Sequence, residues 1–315
     1  MTPKVSVVIP CFNRCGTIGR AIDSVLAQDV PDIEIIVVDD GSTDGTASRL
    51  ARYAHRITLL QQPNQGVSVA RRNGILTARG ELLAFLDSDD EWYPNKLSHQ
   101  LQQLSQYAEV GLVACGAEFV NERGVPVTQS SRSLMGRITD VMLRENPIVT
   151  SSVVLRRSCL VGLEPLFRPE QASGEDYELW TRLSARFDFL ISPEILVRYH
   201  MTKDGLNRKF SAETYRRHYE AINAFLAQDP ALAETMVRRH RQVSGGLHFR
   251  VAYHLYEEGA YWEARWEVLK ALMYSPQSVP LPSAMAILAA PRSVRNLGRQ
   301  LRGYPLFTRL HSGPP

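Results

Sequence analysis

Leu82-Leu83-Ala84-Phe85-Leu86, followed at once by Asp87-Ser88-Asp89-Asp90, is the stretch on which the fold turns. Five apolar residues without alternation mark a strand buried on both faces. Four polar residues, three of them carboxylates, end it. The same arrangement occurs twice upstream. Residues 5–10 are an apolar run, but for Ser6, closed by Cys11-Phe12-Asn13-Arg14, and residues 33–38, apolar but for Glu34, read as a second buried strand closed by Asp39-Asp40-Gly41. Between the runs, Ile18, Ala21, Ile22, Val25 and Leu26 recur at helical spacing. Ser42 or Thr43 is placed to cap a helix reaching about Tyr53, residues 57–60 read as a third strand, and residues 66–78 as a helix. Strand and helix alternate throughout, which predicts an α/β fold: a mostly parallel sheet flanked by helices. Ligands of such sheets collect outside the carboxyl ends of the strands. All three polar clusters fall there.

Beyond the fourth strand, residues 111–120 and 148–155 read as strands separated by a polar insert around residues 127–133. Residues 178–187 read as a helix, followed by short strands near 189–191 and 196–199. From about residue 211 the pattern is helical. Residues 248–258 and 262–273 form a helical hairpin about Gly259, and its small and aromatic residues (Ala252, Tyr256, Tyr261, Ala264, Ala271) resemble a single tetratricopeptide unit. One unit cannot bury its own face, so it is expected to dock on the preceding domain.

The 315 residues are 44% hydrophobic and 22% charged, the composition of a water-soluble globular protein. A net charge of +3 is too mild for a nucleic-acid partner. Cys11 and Cys15 stand four apart without a second pair or a histidine at ligand spacing, which is not a zinc site. All four cysteines, with Cys115 and Cys159, read as buried reduced thiols of a cytoplasmic protein. The opening residues carry no signal-peptide pattern, and no apolar stretch approaches the roughly 20 residues of a membrane span.

The acidic clusters carry the chemistry. Asp87-Ser88-Asp89-Asp90 could be a helix cap and turn, since Asp and Ser favour both. Three carboxylates in four residues repel one another, however, unless a cation neutralises them. Alternating carboxylates suit a hard divalent cation that keeps positions open for phosphate and water. Asp39-Asp40-Gly41 is either a strand end with a tight turn or part of a site. It is similar to the acidic pocket of response regulators, but those carry the pair after the first strand of a short domain. Here it follows the second strand, and the pattern runs on.

Taken in order, Ser6-Val7-Val8-Ile9-Pro10-Cys11-Phe12-Asn13, Ser24-Val25-Leu26-Ala27-Gln28, residues 36–46, Asn64-Gln65-Gly66-Val67-Ser68-Val69-Ala70-Arg71 and residues 80–90 resemble the inverting family 2 glycosyltransferases. The resemblance covers roughly residues 4–205. It implies a GT-A fold over residues 1–210, with a nucleotide-sugar half to about 110 and an acceptor half from 111 to 210. Residues 211–315 then form a helical C-terminal region.

The resemblance also implies roles. Pro10, Phe12 and Asn13 line a base and ribose pocket, Asp40 accepts a hydrogen bond from a uracil or thymine ring N–H, and Arg71 faces the nucleotide. Asp87 holds the ribose or a metal-bound water. Asp89 coordinates a divalent metal, Mn2+ or Mg2+, beneath the diphosphate, with Ser88 and Asp90 continuing the turn behind it. In Gly174-Glu175-Asp176-Tyr177-Glu178, Asp176 matches the general base, which takes the proton of a weakly acidic sugar hydroxyl. Glu175 is covered by an ordinary helix start, where acidic residues are favoured. Two departures stand out. Arg72 occupies a position usually held by asparagine. His200 is displaced by a step or two from the family's late histidine, and is either a group near the metal or an ordinary satisfied histidine.

The implied reaction moves a sugar from a nucleotide-diphosphate donor, UDP- or dTDP-linked, to a hydroxyl of a glycan or lipid-linked acceptor. Competing readings are a degenerate sugar-nucleotide-binding scaffold and a sugar nucleotidyltransferase. The latter would need a glycine-rich, arginine-bearing loop after the first strand, which residues 11–17 do not supply. Arg292, Arg295, Arg299 and Arg302 recur at helical spacing, either as a peripheral contact with the inner membrane face or as a solvated helix face.

Overall fold

β1 (Val5–Cys11) is buried along its whole length because it lies between two parallel neighbours, β2 (Ile33–Asp39) and β4 (Leu82–Phe85). In this computed structural model the described residues are 4–143, 145–164, 166–167, 174–201 and 230–289, with backbone alone at 230–240 and 243. Pro10 is tolerated in so central a strand for a local reason. Val8 O accepts from Leu86 N–H on the β4 side and Cys11 O accepts from Asp40 N–H on the β2 side. Alternation turns the nitrogen of Pro10 toward β4, whose ladder has already ended at Val8↔Phe85, so its missing N–H breaks no pairing.

β3 (Thr58–Gln61) completes a parallel set in the order β3-β2-β1-β4. α1 (Ile18–Leu26), α2 (Thr46–Leu50) and α3 (Val67–Thr77) are the crossovers. α3 packs closely because Gly74 has no side chain: a Cβ there would meet Val8 Cγ1 at 2.4 Å. That approach fixes Arg71, one turn earlier on the same helix.

Beyond β4 the sheet becomes mixed. β5 (Glu91–Trp92), α4 (Lys96–Gln106), β6 (Val110–Val120), β7 (Pro126–Ser130), β8 (Leu134–Gly136), a single turn α5 (Thr139–Met142), β9 (Val154–Arg156), α6 (Glu175–Ser184) and β10 (Asp188–His200) follow in the chain. Among the described residues the sheet order is β3-β2-β1-β4-β9-β6-β10-β5, with β7 on β6 and β8 on β10. β10 runs parallel to β6, and β9 is antiparallel to both of its neighbours. The fold is of the GT-A type, an α/β sheet flanked by helices, with C-terminal helices.

Several local expectations are corrected. The predicted strand over 148–155 is a 3-10 turn, Thr150–Ser152, followed by the short β9. The polar insert around 127–133 contributes β7, whose first four residues are exposed. The two short strands at 189–191 and 196–199 are one strand. Ser192-Pro193-Glu194 looked like a break, but β10 absorbs it as register shifts between Ile191, Ile195 and Val197.

The chain divides into two compact units, Met1–Thr139 with Asn146–Thr202, and Asp140–Glu145 with Lys203–Pro315. In the second, α7 (Pro230–Glu257) and α8 (Tyr261–Tyr274) form the hairpin about Gly259, whose φ of 84° suits glycine. Phe249, Ala252, Ala264, Val268 and Ala271 share a core with Ala284 and Ile287 of α9 (Leu281–Ala289). His248 lies against Tyr274 and pairs with Glu267 at 2.6 Å. Arg292, Arg295, Arg299 and Arg302 lie outside the described residues. No helix among the described residues is long and apolar enough to cross a membrane.

Candidate active site

Three loops meet at the carboxyl ends of β1, β2 and β4. Asn13, after β1, has a φ of 53°, a conformation asparagine tolerates. Its N–H donates to Ser42 Oγ (2.9 Å) and its Oδ1 accepts from Thr43 N–H (2.8 Å). Ser42 and Thr43 therefore lace the first two loops together instead of capping a helix, which begins at Thr46 after Gly45. Pro10 is buried, whereas the Phe12 ring stays 40% exposed beside the loop, open for stacking. The expectation of four buried thiols fails at Cys15, which is exposed in this loop. Burial pushes the Cys11 thiol up to about 12.

Asp40 is buried, not merely placed at a strand end. Its Oδ1 accepts from Gln62 Nε2 (2.7 Å) and Gln65 N–H (2.9 Å), and its Oδ2 from Gly66 N–H (2.8 Å). A carboxylate offers about four lone-pair positions, so one on Oδ2 remains for a ligand N–H. These bonds also hold the loop entering α3. Asp40→Ala is therefore expected to cost stability as well as nucleotide affinity, about 3 kcal/mol for the lost charged bonds, measured by urea denaturation. A melting curve matching wild type would refute the bracing role.

In the acidic turn, Asp90 is fully buried. It accepts from His200 N–H (3.0 Å) and Ser151 Oγ (2.6 Å), and burial pushes its carboxyl well up. Ser88 is buried behind the turn, and Asp87 N–H donates to Ser151 Oγ. Asp89 is partly exposed, with Arg14 Nε 3.6 Å away and Arg20 donating to its carbonyl. Burial raises the Asp89 carboxyl, and the charge of Asp87 adds to it. Carboxylates at alternating positions of one turn suit a hard cation with oxygen ligands. Among the described residues no group of three His, Cys, Asp or Glu could enclose a metal. A cation at Asp87 and Asp89 would need phosphate oxygens and water to complete its shell. His200 does not stand free for it: its Nε2 lies 2.9 Å from Glu91 Oε1. Burial holds its pKa below the ordinary value.

Arg71 is held between two carboxylates. Its side chain is 6% exposed, Nη2 donates to Asp87 Oδ1 (2.6 Å), and Nη1 donates to Glu175 Oε1. Burial opposes its charge, but Asp87 and Glu175 outweigh it and hold Arg71 ionised. Glu175 does stand in the first turn of α6, yet it is buried rather than solvated. Burial pushes its carboxyl up to about 7 despite Arg71. Asp176, half-buried, accepts from the Thr150 hydroxyl through Oδ2 and from Tyr177 N–H through Oδ1 (2.7 Å). Sequence reasoning missed Gln62, Thr150, Ser151 and the burial of Glu175. The polar triplet Thr150-Ser151-Ser152 inside an apolar run was the available signal.

The family described as Glycosyl transferase family 2 matches residues 6–158. This part of the chain belongs to glycosyl transferase family 2. An uncharacterized glycosyltransferase of Rickettsia prowazekii is 29% identical over 202 residues, 62% of this chain and 64% of the relative. The chain thus spans just under two thirds of that relative's length. The putative teichuronic acid biosynthesis glycosyltransferase TuaG of Bacillus subtilis is 29% identical over 210 residues, 65% of this chain and 82% of TuaG. Among solved structures, S. aureus TarS 1–349 in complex with UDP-GlcNAc is similar at a TM-score of 0.61 and 20% identity, covering 85% of this chain and 89% of that one. The mannosyltransferase PcManGT of Pyrobaculum calidifontis, in complex with GDP-Man and Mn2+, is similar at a TM-score of 0.59 and 19% identity, covering 98% and 83%. At such identities these two speak for the fold that the family 2 domain shares with them.

Proposed function

We propose that this chain is an inverting glycosyltransferase that moves a sugar from a nucleoside-diphosphate donor, uridine- or thymidine-linked, to a hydroxyl of a glycan or lipid-linked acceptor. The observation that carries the reading is the tie between Asp176 and the acidic turn of Asp87 and Asp89 through the adjacent residues Thr150 and Ser151, at the carboxyl end of the sheet in which β2 leads into Asp40. TarS is solved with UDP-GlcNAc and PcManGT with GDP-Man, both nucleotide sugars.

In this reading Pro10, Phe12 and Asn13 form the base and ribose pocket, and Asp40 accepts the ring N–H with its remaining lone pair. A divalent cation, Mn2+ or Mg2+, would be held by Asp89 with Asp87, and when bound it stabilises charge on the departing diphosphate as a Lewis acid. Asp176 takes the proton from the acceptor hydroxyl as its oxygen forms the new bond. Attack from the face opposite the leaving group inverts the anomeric centre, so no nucleophilic carboxylate of the retaining kind is required. Residues 1–210 form the catalytic domain, cytoplasmic in location, and the helices at 230–289 belong to the region that follows it.

Calorimetry of UDP binding tests the site. With Mn2+ present, affinity is expected to be at least about tenfold higher than with chelator, since Asp87 and Asp89 repel an unaccompanied diphosphate. Equal affinity in both conditions rules out the cation at these residues.

A further inference from the structure

We propose that Arg71 and Glu175 are positioning residues that couple the proton-accepting end of the site to its phosphate-and-cation end, Arg71 acting through its two carboxylate partners. The inference rests on the roles given above to Asp87, Asp89 and Asp176. A guanidinium is a planar, rigid fork, so carboxylates bound to its two ends are held at a set separation. One end of Arg71 holds Asp87 at 2.6 Å, and the other holds Glu175, the residue before Asp176. Gly74 lets α3 close on β1, so the fork is anchored to the sheet.

A second connector runs beside the first. The Thr150 hydroxyl donates to Asp176 Oδ2, and the hydroxyl of the next residue, Ser151, accepts from Asp87 N–H and donates to Asp90 Oδ2. Neither path touches the base pocket around Asp40. The pairing also divides one positive charge between Asp87 and Glu175. Without the Glu175 charge, Arg71 would bear fully on Asp87 and draw that carboxylate away from a cation.

The test is a double-mutant cycle on the full chain, with UDP as probe, calorimetry in Mn2+ and in chelator, and melting temperatures alongside. Glu175→Gln is expected to weaken UDP binding in Mn2+ about tenfold while leaving binding in chelator unchanged. Asp87→Asn should add little in the Glu175→Gln background, whereas Asp40→Asn should add its full effect. Glu175→Asp, which keeps the charge on a shorter arm, should recover part of the loss and serves if the amide variant does not fold. A loss that is equal in Mn2+ and chelator, or fully additive with Asp87→Asn, overturns the coupling. Absence of any Mn2+-dependent UDP binding by the wild type overturns the cation reading itself, and the coupling with it.

Discussion

Asp176→Asn is expected to leave UDP affinity and melting temperature unchanged while turnover falls by about two to four orders of magnitude, the contribution of a positioned base. The structure explains why the fold should tolerate it. The amide oxygen can still accept from Tyr177 N–H, and its NH2 can face the Thr150 hydroxyl, which rotates to accept instead of donating. Only the capacity to take a proton is removed. Glu175→Gln cannot serve as the silent comparison that a helix-start position suggests, because that carboxylate is buried against Arg71. Near-normal transfer by Asp176→Asn would remove it from the base role.

The second large effect is on stability. Arg71→Met should lower unfolding free energy by about 3–5 kcal/mol, the cost of breaking a buried ion pair and leaving its partners uncompensated. Methionine fills much of the same space, so the loss reports the charge and not a cavity. Two carboxylates, Asp87 and Glu175, would lose their common cation at once. Urea denaturation measures it, and a change below about 1 kcal/mol would show that the guanidinium is not structurally required. A double change, Arg71→Met with Glu175→Leu, should recover part of the loss, since apolar replacement of a buried pair is often neutral.

The parallel half was legible because its strands are buried on both faces and so read as predominantly apolar runs at residues 5–10, 33–38 and 82–86, interrupted by Ser6 and Glu34, which bond to each other. The later half was less so. β7 is an exposed antiparallel strand with little hydrophobic signature, and β10 crosses Pro193 without ending. The polar groups that organise the site were legible only where they cluster along the chain, as Asp87–Asp90 do. Gln62 bonds across 22 residues to Asp40, Thr150 across 26 to Asp176, and Glu175 across 104 to Arg71. Nothing local marks such partners, and Glu175 in particular has the same sequence context whether its side chain faces water or a guanidinium.

The three-residue strand β9 has a bearing on how the protein is made. It is the seam between the two halves of the sheet, pairing Leu83 with Leu155 on one side and Leu112 with Leu155 on the other. Until it arrives, β4 is a raw apolar edge, open to pairing with any other extended chain. β9 emerges from the ribosome about 70 residues after β4, which at 5–20 residues per second leaves that edge uncovered for several seconds. A fragment ending near residue 110 would keep it uncovered permanently and is expected to aggregate rather than fold. The parallel half of the sheet, although continuous in sequence, is therefore expected not to fold when expressed alone.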